Sequence, residues 1–196
     1  YLTRTQAYYA DDNTLIRKAH VIIDQEGNGK ATISTKYSCY YYDEMMPLLL
    51  SDHQNQKKTI TESLKIPGFT LTGFRVSQPD VKLPLICEDL EISLKGYAVV
   101  MADRLILPVN ILNKGERLPI SNKRTSDILQ RREKMMVDTI IFTIPQGFTA
   151  TSSITPVNYE TAYGSYNSMI QISGNEIIFI RRQIIKKGLF PSSAYN

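Results

Sequence analysis

Residues 167–188 read NSMIQISGNEIIFIRRQIIKKG: two apolar runs on either side of Ser-Gly-Asn-Glu, with two arginines and then two lysines trailing the second run. Gly174 and Asn175 are residue types that tolerate positive φ, and such a pair between β-branched runs predicts a tight hairpin turn. Successive strand side chains point to opposite faces. Ile178, Ile180, Arg182 and Ile184 therefore share one face, and Ile177, Phe179, Arg181 and Gln183 share the other. Both faces are apolar early and polar late, as in a strand running from a covered region to a rim. Arg181 and Arg182 cannot belong to a single basic stripe, and one of them is expected to close a sheet edge by pairing with a carboxylate or a carbonyl. The hairpin reads as scaffold.

The same alternation recurs outward from it. TLIRKAHVIID (14–24) and KATISTKYSCYYY (30–42) flank QEGNG and predict a second hairpin, with Leu15, Arg17, Ala19, Val21 and Ile23 on one face. Pairing Asp24 with Lys30 sets His20 opposite Ser34 and Cys39 opposite Leu15. FTLTGFRVS, LEISLKGYAVVM, RLILPVNIL, MMVDTIIFTIP, TATSSI and VNYETA add further strand-like runs, and 113–134 reads as a long polar loop. One helix is predicted over about 51–65. Ser51 caps it, Gln54 completes a capping box, Ile60 and Leu64 dock it, and Pro67-Gly68 end it. DEMMPLLL before it adds a short turn. The pattern predicts a mainly β chain, an antiparallel β-sandwich with one inserted helix. Residues 1–13 form an arm and 14–196 a single domain.

A chain of 196 residues with 42% hydrophobic and 21% charged residues can bury a core without disulfides or metal. Its net charge of +4 is mild and its basic residues are spread along the chain, so no nucleic-acid-binding face is expected. No apolar run approaches the ~20 residues of a membrane-spanning helix. Cys39 and Cys87 stand far apart and outside any CxxC, which gives no support to a metal site; a bridge between them stays open. No phosphate-binding glycine loop, HExxH or GxSxG is present. In the register above, Cys39 and His20 are about five residues apart along the strands, on the order of 17 Å, and cannot form a dyad. His53 falls in a first helical turn and reads as solvated. Asp11, Asp12 and Asn13 are too short a motif for a calcium loop. Neither a cofactor nor a catalytic residue is expected. The run Tyr40, Tyr41, Tyr42 is the one candidate ligand platform, for a glycan or a peptide, with at least one ring packed inward.

Several segments occur in a telling order: KAHVIIDQEGNGKATISTKYSCYYYDEM, ESLKIPGF, RLILPVNIL, DTIIFTIPQGF, AYGSYNSMIQISGNEIIFIRR and KKGLFPSSAYN. Together they resemble an uncharacterised domain found C-terminal to the transglutaminase-like domain in multidomain proteins of certain Gram-negative bacteria. The resemblance implies an exported or periplasmic, cell-envelope protein whose Cys-His-Asp triad lies in a middle domain. This segment would then be a non-catalytic accessory domain that packs against or positions it; the alternative is a glycan- or peptide-binding module. It also implies structural or interface roles for Arg104, Pro108, Asn110, Gly164, Tyr166, Arg181, Arg182 and Pro191, and a small residue such as glycine where Cys39 stands. The opening YLTRTQAYYADDN lacks an initiating methionine and reads as a piece of a longer protein, and relatives are expected to continue past SSAYN into another helix that covers an apolar groove.

Overall fold

The computed structural model describes residues 7–113, 125–151 and 154–192. The first alternation becomes the hairpin of β1 (Thr14–Ile23) and β2 (Gly29–Ser38). Its register pairs Ile23 with Gly29, His20 with Thr32 and Leu15 with Tyr37. That is two residues away from the pairing expected from sequence. Asp24 leaves the ladder because its carboxylate closes the loop on itself, accepting from the backbone N–H of Glu26 at 3.0 Å and of Asn28 at 2.8 Å.

The tyrosine run corrects the strand reading. β2 stops at Ser38, Cys39 adopts φ 49° and ψ −101°, and Tyr40 opens helix α1 (Tyr40–Leu50). Two contacts turn the chain out of the ladder: Cys39 N–H donates to Pro84 O at 2.9 Å, and Tyr40 N–H donates to Asn13 Oδ1 at 3.1 Å. Helix α2 (His53–Ser63) is the predicted one. Its cap is Asp52 rather than Ser51, the carboxylate accepting from Asn55 N–H at 2.9 Å. The Ser51 hydroxyl instead donates to Leu48 O at 2.8 Å, finishing α1.

The remaining elements are strands: β3 (Phe69–Ser77), β4 (Leu85–Leu94), β5 (Val99–Met101), β6 (Arg104–Ile106), β7 (Ile128–Gln130), β8 (Lys134–Thr143), β9 (Val157–Thr161), β10 (Gly164–Ser173), β11 (Glu176–Ile185) and β12 (Gly188–Phe190). Eight of them join one sheet in the order β3-β4-β2-β1-β8-β11-β10-β9, while β5-β6 and β7-β12 form small ribbons. The mainly β, sandwich-like class with an inserted helix is as expected, and α1 is an addition to it. The hairpin at 167–188 forms as read, Ser173 pairing with Glu176 around Gly174 at φ 59°.

The sheet consists of two antiparallel halves, β3-β4-β2-β1 and β8-β11-β10-β9, meeting at a parallel pair, β1 with β8. Apolar side chains of one phase run across that seam. One row is Phe74, Leu90, Ile33, Ala19, Ile140, Phe179 and Ile170, each paired with the next on neighbouring strands. Ile60 of α2 and the segment from Ala98 to Ile111 complete the core over this face. Gly27, at φ +80°, brings the β1–β2 loop onto that segment: Ala98 N–H donates to Gly27 O at 2.9 Å, and a Cβ on Gly27 would stand 2.1 Å from Ala98 O.

Candidate functional site

One same-face step from that apolar row, the sheet carries a polar one. Glu88, Thr35, Arg17, Asp138 and Arg181 occupy consecutive paired positions on β4, β2, β1, β8 and β11. All but Arg17 are buried, and Arg17 is half-buried. Charged residues at the core-facing phase of four out of five adjacent strands are unusual, because an ion removed from water must find partners.

Asp138 supplies them. Its side chain is fully shielded from solvent; Arg17 Nε donates to Oδ1 at 2.6 Å, and Arg181 Nε lies 2.7 Å from Oδ2. Asn113 Nδ2 donates to Oδ2 at 2.7 Å. Arg17 reaches on through Nη2 to Asn113 Oδ1 and through Nη1 to Leu112 O at 3.4 Å. Asn113 is held in turn by Asn110, whose Oδ1 accepts from its backbone N–H at 3.2 Å and its side-chain amide at 3.3 Å. Asn110, singled out from sequence, thus acts one contact away from the charges. At the other end Tyr37 O–H donates to Glu88 Oε1 at 3.1 Å. Burial raises the Glu88 carboxyl above its ordinary range, against the lowering pull of Tyr37 and Arg17. Burial and the Glu88 charge likewise raise the Tyr37 hydroxyl.

The row borders a cavity of about 680 Å³. Its polar wall includes Arg17, Arg181, Tyr37, Glu88 and Gln183, and its apolar wall includes Ile33, Leu90, Ile66 and Ile111. Arg181 reaches this wall with its side chain 8% exposed. Its Nε contact to Asp138 lacks hydrogen-bond alignment, and Nη2 has no hydrogen-bond partner among the described residues.

The other residues singled out from sequence do not converge here. Arg182 points to the opposite face, exposed, with Nε 3.3 Å from Met135 Sδ and Nη2 3.9 Å from Asp11. Arg104 lies on β6 beside a separate cavity of about 590 Å³, and Tyr166 on β10 pairs with Tyr159 and Gln183. The three tyrosines do not form one platform. Tyr40 meets Tyr41 edge-on at 5.4 Å, and its ring lies 3.7 Å from Lys134 Nζ. Tyr41 is buried, which pushes its hydroxyl up to about 12. The Tyr42 hydroxyl accepts from Gln78 Nε2 at 3.2 Å. His20 Nε2 sits 2.9 Å from Thr143 Oγ1, His53 stacks on Phe74 at 4.6 Å, and Cys39 and Cys87 are unbridged.

Sequence reading missed Asp138, Glu88, Tyr37 and Asn113 as members of a site. The available signal was a charge at the inward phase of an apolar strand, visible in MMVDTIIFTI and LICEDLEISL. No curated protein matches the chain, and no solved structure does. Residues 103–196, which hold Asp138 and Arg181 but not Arg17, match the model of a family described as a domain of unknown function (DUF3858).

Proposed function

We propose that this chain is a non-catalytic accessory domain of a larger cell-envelope protein, packing against and positioning a catalytic neighbour of the transglutaminase-like class named by the resemblance. The observation that carries this reading is the outward face of the central strands. Ile16 pairs with Val137, Ile141 with Ile178, and Ile180 with Met169, all at the phase opposite to the core. These six are half-buried or exposed, and none belongs to the core cluster or to the residues packed on it. On the same face β1, β2 and β4 behave as an antiparallel sheet in water should, with Lys18, His20, Thr32, Ser34 and Glu91 exposed. An apolar band beside that polar surface suits contact with another protein. The engagement of His20, His53 and Asp138 with structural partners supports a non-catalytic role. Ile141→Lys and Ile180→Lys, made in the parent protein, test the reading. The isolated chain should melt within a few degrees of wild type, while the parent becomes cleavable between its domains and its catalytic output changes. Unchanged protection and output in both variants would contradict docking through this face.

A further inference from the structure

We propose that the cavity beside the polar row binds an amphipathic monocarboxylate, its acid group on Arg181 and its apolar body against Ile33, Leu90 and Ile111. This inference stands apart from the docking face, which lies on the other side of the sheet. Asp138 is one carboxylate shared between two guanidiniums, Arg17 and Arg181. Arg17 is fully engaged, with Asp138, Asn113 and Leu112 O on its three nitrogens. Arg181 is not: its side chain is more than nine-tenths buried, it lines the cavity, and Nη2 has no hydrogen-bond partner among the described residues. A buried N–H without an acceptor is costly, so the free edge of this guanidinium is a place where an acceptor gains more than it would in water.

Charge selects the acceptor. The second carboxylate of the row, Glu88, stands four strands away from Arg181, on β4, and accepts from Tyr37. Two guanidiniums face the single carboxylate of Asp138, so Arg181 is the cation that this carboxylate does not fully engage. A planar monoanion matches both that cation and the fork geometry of an arginine edge. A phosphate dianion would exceed its single charge next to Asp138, and a neutral sugar would leave that cation short of a counter-charge. Ile33, Ile66, Leu90, Ile111 and Leu112 form an aliphatic part of the wall beside Ser63 and Gln183, and about 680 Å³ is within the range of small-ligand sites. The chemistry is shared by a free fatty-type acid and by the C-terminus of a peptide ending in an aliphatic residue.

Isothermal titration of the chain with octanoate, with octanol, and with an Ala-Ala-Leu-Leu peptide as free acid or amide tests this directly. Octanoate or the peptide acid should bind, the tighter of the two naming the source, while octanol and the peptide amide should not. Arg181→Met should weaken binding about tenfold or more, the loss of a charge-assisted hydrogen bond. Methyl NMR on the wild type keeps the test valid if that variant unfolds: Ile33, Leu90 and Ile111 should shift with octanoate, and Ile141 and Ile178 should not. Absence of binding by both acids, equal binding of octanol, or shifts confined to the outward face would overturn the proposal.

Discussion

Asp138 sits without solvent contact between Arg17 and Arg181, two strands' worth of positive charge on one carboxylate. Replacing such a pair by apolar residues can be neutral, but removing one member leaves buried charge uncompensated. Asp138→Ala is therefore expected to destabilise by about 3–5 kcal/mol in urea unfolding, among the largest effects of any single substitution in the chain. Glu88 gives a prediction of opposite sign. Its carboxyl is raised in the folded state, so its contribution is fully present below the unfolded carboxylate range and is lost as pH rises through the folded value. Glu88→Gln should accordingly melt higher than wild type at neutral pH, and the gap should close as pH falls; a constant gap across thermal melts at several pH values would contradict it. At this scale the phase of Arg17 was legible, since alternation places it with Leu15, Ala19 and Val21. One of Arg181 and Arg182 was expected to pair with a carboxylate or a carbonyl at a sheet edge; Arg181 meets Asp138 instead on an interior strand. Its partner was not legible, nor was that of Arg17, which stands 121 residues from Asp138, because register between distant strands leaves no local mark.

Elements defined by turn chemistry were readable, and those defined by a single backbone reversal were not. The Gly174-Asn175 hairpin followed from residue type alone, and α2 followed from its polar first turn and its Pro-Gly stop. The Tyr40–Tyr42 segment misled because tyrosines suit a strand, while the outcome depended on Cys39 at φ 49°, ψ −101°, a region that disfavours any side chain. The resemblance had placed a small residue such as glycine there, which this geometry explains. Such conformations cost on the order of 1–3 kcal/mol for a non-glycine residue. Cys39→Gly is expected to raise stability by about 1 kcal/mol after the added unfolded-state entropy of glycine is counted. Cys39→Val, β-branched at the same dihedrals, should lower it; chemical denaturation of the two variants checks both directions.

At the scale of the molecule, the mainly β class and the single inserted unit at 51–65 were written in recurrent alternation and turn residues. The parallel junction was not, because β1 and β8 each look like any half-buried strand. That junction is what makes the chain interdependent. The match to DUF3858 begins at residue 103 and includes β8, β11, β10 and β9, yet β8 completes its ladder on β1 and Asp138 Oδ1 takes its hydrogen bond from Arg17. An exposed β8 edge with a buried carboxylate that has lost the donor to its Oδ1 is a poor independent fold. The most direct measurement is to express 1–102 and 103–196 separately and record the amide NMR spectrum of each alone and of the two mixed. We expect collapsed dispersion for each piece and recovery of the full-chain spectrum on mixing, lost again when the second piece carries Asp138→Ala. A well-dispersed spectrum for 103–196 alone, unchanged when 1–102 is added, would contradict the account.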